Sequence, residues 1–398
     1  MVAGVKNKAG MDAAKRNRND EFYTQLSDIE AELRHYKPHF KGKTVLCNCD
    51  DPYESNFFKF FALNFRRLGI KKLIASCYAG SPVQGKELSL FDLAGMSTQD
   101  AEARRPYKVE ITAIPDANED GAVDLWDVEY LLKHDANVLS VLEGDGDFRS
   151  AECLAVLDEA DIVVTNPPFS LLHSFISLLM ERQKNFLVLG NPSALTYKEI
   201  FPLVVANKLW WGVKSSGGNN MFFRATPEKT AEVVSTKPEG SWWKNINGVP
   251  HVGIKTVWFT NLDHAKRHEN LILTEKYDPE RYPSYDNYDG IEVAKVADIP
   301  EDWTGVMGVP ITFLDKYSPA QFEIVGIAKA PLGKPSKVYP RQTQVSKDGA
   351  RSEVTKLNDG PAIKVDSPPR DQTYYIVNGE FFVQKFARLL IRRIGPTQ

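Results

Sequence analysis

The chain has 398 residues, 42% hydrophobic and 25% charged, with a formal net charge of −3. That balance excludes a disordered or fibrous chain, and the length provides for two domains or one enlarged one. No apolar run reaches the roughly eighteen residues of a membrane span, and the acidic total exerts no global pull toward nucleic acid, so any such partner has to be held by local basic stripes.

The opening stretch MVAGVKNKAGMDAAKRNRND is polar and basic and lacks the apolar segment of a signal peptide, so residues 1–19 read as a flexible arm of a cytoplasmic protein. The runs KTVLCNC (43–49), FFKFFALNFRRLG (57–69) and KKLIASCY (71–78) then alternate strand, helix and strand, a βαβ unit. Cys47 and Cys49 form a Cys-x-Cys inside the first strand, but Cys77 and Cys153 supply no second pair at zinc spacing, so the cysteines read as reduced structural thiols.

Farther on, DANEDGAVDLWD (116–127) sets Asp116, Asn118, Asp120, Gly121, Asp124 and Asp127 in the pattern of an EF-hand calcium loop. Its last position is Asp instead of Glu, which weakens bidentate coordination, and Asp124 doubles as an N-cap for a helix over about 124–134. The stretch is therefore read mainly as a structural turn.

A helix over 150–159, a β-branched strand DIVVT (161–165), a helix LLHSFISLLMERQ (171–183) and a strand NFLVLGN (185–191) continue the alternation. It predicts an α/β fold with a doubly wound, mainly parallel sheet covered on both faces. The strand at 161–165 runs into NPPF (166–169), where two prolines forbid further ladder pairing and force a turn at Asn166. Open α/β sheets place ligands just beyond such carboxyl ends. Taken alone, NPPF is as readily an ordinary stiffened loop with Phe169 in the core.

After about residue 200 the texture becomes β-rich, with KLWWGVKSSGGNNMFFR, GSWWKNINGVPHVGIKTVWFT and GVMGVPITFLDKY. Residues 331–372 hold Pro, Lys, Ser and Asp without periodicity and read as an irregular insertion, before order resumes at TYYIVNGEFFVQKFARLLIRR. Lys329, Lys334, Lys337, Arg341, Lys347, Arg351 and Lys356 face only Asp348 and Glu353, and the tail adds Lys385, Arg388, Arg392 and Arg393. Such a run is either a solvated face or a stripe for phosphates.

Five patches now stand in order: DEFYTQ (20–25), CNCDDPYESNF (47–57), LIASCY (73–78), GDGDFRS (144–150) and DIVVTNPPFS (161–170). They resemble motifs of amino-methylating DNA methyltransferases, and most closely the EcoRI-type adenine-specific DNA methyltransferase family. The resemblance is dense over about the first 200 residues, and MGVPITFLDKY (307–317) extends it. It implies a Rossmann-like methyltransferase fold, with residues 20–200 as the S-adenosylmethionine-binding catalytic domain. Residues 201–398 would complete the sheet and add a β-rich region that recognises the target. The implied activity is site-specific methylation of adenine N6 in double-stranded DNA, on a flipped-out base, within restriction-modification. No membrane is implied, and a monomer is compatible with the sequence.

By the same resemblance, the Asn166 side-chain oxygen and the Pro167 carbonyl each accept one N6 hydrogen while Phe169 stacks on the base. The physical need is clear: the adenine amine is a poor nucleophile because its lone pair is delocalised into the ring, so it has to be held near the methyl in tetrahedral geometry. For the donor, Asp50, Asp51, Ser55 and Asn56 stand in a turn without the usual glycines, Tyr23 and Thr24 meet the methionine end, and Asp147 and Phe148 address the adenine. Ser76, Cys77 and Tyr78 stand where nucleotide-binding folds often carry an acidic ribose ligand. Methyl transfer from a sulfonium needs no metal. Methylation of RNA or of a protein glutamine is the alternative that NPP[FY] also serves, against which the long Trp- and Lys-rich second half argues. An inactive DNA-binding methyltransferase fold is the other, against which Asn166 and Phe169 argue; donor binding separates the two.

Overall fold

Buried β-branched and aromatic runs build the central layer of the first half. The computed structural model describes residues 24–49, 55–77, 106–135, 138–215, 220–225 and 227–395. In chain order, α1 (Leu26–Leu33) and α2 (Lys37–Phe40) lead into β1 (Thr44–Asn48), and α3 (Asn56–Leu63) and α4 (Phe65–Leu68) join it to β2 (Lys72–Ser76). Then come β3 (Tyr107–Ile111), α5 (Leu125–His134), β4 (Leu139–Val141), α6 (Ala151–Glu159), β5 (Ile162–Thr165), α7 (Leu172–Glu181) and β6 (Asn185–Gly190). The single helix expected over 57–69 is split at Asn64, whose side-chain amide donates to the Phe60 carbonyl at 2.8 Å, competing with the helical ladder. Gly69 closes the second piece in the left-handed conformation at φ 65°.

The chain continues through α8 (Phe201–Val205), β7 (Trp210–Trp211), β8 (Asn220–Phe223), α9 (Pro227–Thr236), β9 (Trp243–Ile246), β10 (Val249–Lys255) and β11 (Val257–Thr260). An eight-stranded sheet has the order β4-β3-β2-β1-β5-β6-β11-β7. Its strands β2, β1, β5 and β6 are mutually parallel. By contrast β3 is antiparallel to β2, β4 to β3, and β11 to β6. The fold is thus α/β with a large mixed sheet, and the parallel pairing expected from the helix–strand alternation holds for the four central strands but not for β3, β4 and β11. A signal for this existed: Tyr107, Val109 and Ile111 are buried while Lys108 and Glu110 are half-buried, the one-sided alternation of an antiparallel strand.

The core between the sheet and its helices is filled largely by α3. Phe57, Phe58 and Phe61 are fully buried against Val45, Leu73 and Trp258 in one cluster. Each such side chain stabilises the fold by roughly 1.5–3 kcal/mol through removal from water.

Two compact units divide the chain: Met1–Ala194 with Trp211–Asp263, and Leu195–Trp210 with His264–Gln398. The first also contains an antiparallel sheet of order β8-β10-β9. The second is β-rich. It holds β12 (Ile291–Glu292), β13 (Met307–Pro310), β14 (Phe322–Ala328), β15 (Gln342–Val345), β16 (Arg351–Val354), β17 (Ala362–Val365), β18 (Tyr374–Val377), β19 (Glu380–Gln384) and β20 (Arg388–Arg393). These form a four-stranded sheet, β12-β13-β20-β14, and a five-stranded one, β16-β15-β18-β19-β17. The stretch 331–372, read from sequence as irregular, therefore carries β15, β16 and β17. They are four residues long and mostly polar on one face, and β17 is held by pairing with β19, so local periodicity does not reveal them. No described helix is long and apolar enough to cross a membrane.

Candidate functional site

Because β1, β2 and β5 run parallel, their carboxyl ends share one edge. Asn48 at the end of β1 pairs in register with Ser76 at the end of β2, and the Thr165 hydroxyl at the end of β5 donates to the Asn48 main-chain carbonyl. The next residue is Asn166, only 7% exposed. Pro167 and Pro168 have no N–H to offer a neighbouring strand, so the chain leaves the sheet there and turns through a short 3-10 segment, Phe169–Leu171, into α7. The Leu171 N–H donates to the Pro168 carbonyl at 2.9 Å. Phe169 is half-buried and packs against the main core cluster.

Gly190 at the end of β6 makes this approach possible. A Cβ there would collide with Leu172, the first residue of α7, and would come within 3.0 Å of the Phe259 ring.

Just past β1, Cys49 adopts the left-handed conformation at φ 74°. It occupies the backbone state that a glycine adopts freely. Ser55 caps α3 by accepting from the Phe58 N–H at 3.2 Å. The Asn56 side-chain amide donates to the Thr24 carbonyl at 2.7 Å, which brings DEFYTQ and CNCDDPYESNF together. Two buried oxygens here, Thr24 Oγ1 and Asn48 Oδ1, have no hydrogen-bond partner among the described residues. Tyr23, Asp50 and Asp51 lie outside the described residues. Asn48 was passed over in the sequence; its signal was an amide ending a strand whose other residues are mostly apolar.

Asp147 accepts from Arg149 Nε at 2.9 Å, from Nη2 at 2.5 Å and from its backbone N–H at 2.9 Å. The Arg149 guanidinium holds the Asp147 carboxyl below the usual carboxylate range, against the opposing effect of burial. Phe148 is buried edge-to-face on Phe175 of α7 at 5.1 Å, with the Arg149 guanidinium 5.2 Å above its ring. GDGDFRS is thereby packed against the helix that follows NPPF. Thr24, Ser55 and Asn56 form one group, Asn166, Pro167 and Phe169 another next to Asn48, and Phe148 touches the latter group's helix.

In DANEDGAVDLWD the carboxylates serve the loop's own N–H groups. Asp116 accepts from Asp120 and Gly121 at 3.2 and 2.8 Å. Asp124 and Asp127 form a capping box at the start of α5, with Asp127 also accepting from Ala117 at 2.8 Å. Asp127, the final position of the calcium-loop pattern, is fully buried, and these backbone donors keep its pKa low.

The sequence matches the family described as adenine-specific methyltransferase EcoRI over residues 10–394. It is 44% identical to the type II methyltransferase M.EcoRI of Escherichia coli over 83% of this chain and 92% of that protein. It is 36% identical to the type II methyltransferase M.MpnI of Mycoplasma pneumoniae over 78% and 83% of the two chains. Identity to the type II methyltransferase M.MgeORF184P of Mycoplasma genitalium is 37% over 78% and 84%. No solved structure matches the chain. The chain belongs to the EcoRI-type adenine-specific methyltransferase family and is a site-specific DNA adenine methyltransferase.

Proposed function

We propose that this methyltransferase takes its methyl group from S-adenosylmethionine and delivers it to N6 of an adenine flipped out of double-stranded DNA, with Asn166 and Pro167 holding the amine and Phe169 supporting the base. The observation that carries this reading is the placement of buried Asn166 just beyond the carboxyl end of β5, its strand tied to Asn48 of β1 by the Thr165 hydroxyl. Open α/β sheets bind ligands outside that edge. Support for a Rossmann-like methyltransferase core comes from the parallel strands β2, β1, β5 and β6 with antiparallel β11 beside them.

The residues present fit the donor. Thr24 Oγ1 and Asn48 Oδ1 are buried oxygens without partners among the described residues, matched to a ligand rich in N–H and O–H groups. Ser55 caps the following helix and Asn56 holds the Thr24 carbonyl, and Asp147 and Phe148 are assigned to the donor's adenine. When bound, S-adenosylmethionine supplies an electrophilic methyl on a sulfonium, which needs no metal. The Asn166 amide oxygen and the Pro167 carbonyl draw on the two N6 hydrogens, so the nitrogen lone pair turns from the ring toward the methyl. The prolines keep both acceptors aimed. An aromatic face at Phe169 offsets part of the unstacking cost of a flipped base. In this reading residues 20–200 bind the donor, 201–398 complete the sheet and recognise the target, and the enzyme is assigned to the cytoplasm.

The test is Asn166→Ala, assayed with labelled donor on DNA whose N6-methyladenine positions have been mapped by sequencing. Loss of one preorganised acceptor lowers turnover about 100-fold to 1,000-fold while donor affinity is kept. Turnover near wild type would overturn the reading of NPPF as catalytic.

A further inference from the structure

Phe386, between β19 and β20 in the second unit, is 89% exposed. A ring so exposed forgoes the burial that normally holds phenylalanine in a core. Three loops meet around it. The Lys385 N–H donates to the Pro361 carbonyl at 2.9 Å, the Ala330 N–H to the Asp359 carbonyl at 3.1 Å, and the Gln384 side-chain amide to the Lys356 carbonyl. The main chain at Lys329, Lys356 and Lys385 is thereby linked through these loops, with Asp359 among them.

The charges here differ from three others in the same unit. Lys337, Lys364 and Arg388 are neutralised by Asp286, Glu380 and Glu292. The ammonium groups of Lys329, Lys356 and Lys385 have no such partner among the described residues. Cations left unpaired around a protruding ring repel a second copy of the same surface and attract a polyanion. The polyanion that also offers flat apolar faces is nucleic acid.

We propose that this loop cluster grips the DNA backbone through Lys329, Lys356 and Lys385 while Phe386 wedges between stacked base pairs. Apolar wedges of this kind pry apart a base step while adjacent cations neutralise phosphates. The inference rests on DNA being the substrate and is independent of the role given to Asn166.

The test uses the full chain and a duplex carrying the mapped methylation site, with 2-aminopurine placed at each position in turn. Phe386→Ala should weaken duplex binding by about tenfold and remove the fluorescence change at one base step, without changing Tm or donor affinity. Phe386→Leu, still apolar, should keep most of the signal. The double variant Lys356→Ala/Lys385→Ala should lower the slope of log affinity against log salt by about two, roughly one per lost phosphate contact. Asn166→Ala should retain the signal at that step, so failure of the catalytic reading is distinguishable from failure of this one. Wild-type affinity and step signal in Phe386→Ala, or an unchanged salt slope in the lysine variant, would overturn the proposal.

Discussion

Thr165 donates its hydroxyl proton to the main-chain carbonyl of Asn48, 117 residues earlier in the chain. The bond ties the strand leading to NPPF to the strand leading to the proposed donor site, at the one edge where both end. Thr165→Val keeps the shape and removes the donor, leaving a buried carbonyl unsatisfied at a cost on the order of 1–3 kcal/mol. Urea denaturation should show that loss, and donor affinity should fall with it; Thr165→Ser should restore both.

Gly190 and Leu172 form a second tie. Gly190→Ala would force Leu172 out of place at the start of α7, and overpacking of this kind typically destabilises by about 1–3 kcal/mol. Since Leu172 directly follows the Phe169–Leu171 turn, turnover should fall more than donor affinity. Equal losses in kcat and donor binding would contradict that placement.

Cys49 sits at φ 74°, a conformation glycine adopts freely. Cys49→Gly should leave stability within about 1 kcal/mol of wild type, as relief of the left-handed backbone is balanced by greater freedom in the unfolded chain. Cys49→Val, β-branched, should lose on the order of 2 kcal/mol and weaken donor binding. Thermal unfolding with and without donor measures both.

The Asp147 carboxyl is held below its ordinary pKa by Arg149. A depressed folded value means that the pair's contribution is present above the unfolded carboxylate pKa and disappears as pH falls through the lowered folded value. With the Arg149 side chain 57% exposed, the effect should stay below about 1 kcal/mol. Arg149→Ala should therefore be slightly less stable than wild type at neutral pH, and the two Tm curves should merge in acid. A difference that persists at low pH would assign the loss to packing on Phe148.

The sequence by itself determined what is written locally. Short apolar runs marked β1, β2, β5 and β6, the double proline marked the turn at Asn166, and the ordered patches carried the family. Asp124 and Ser55 were legible as caps or site residues because their types fit few positions, and the structure makes each the N-cap of its helix. Whatever depends on partners distant in the chain was decided by the tertiary structure. A run of four or five residues does not state its direction, so the antiparallel placement of β3 and β11 followed from the route of the chain. The strands within 331–372 are short and polar, and β17 exists through pairing with β19; deleting that stretch would dismantle the five-stranded sheet. Asn48 became a candidate site residue only when Thr165 and Ser76 were placed beside it, and Phe386 stood out only once its neighbours in sequence had gone into sheets and left it in solvent. Helical and strand periods, caps and turns are set by residues within a few positions of one another, whereas burial, strand direction and the meeting of loops are set by contacts that no local window contains.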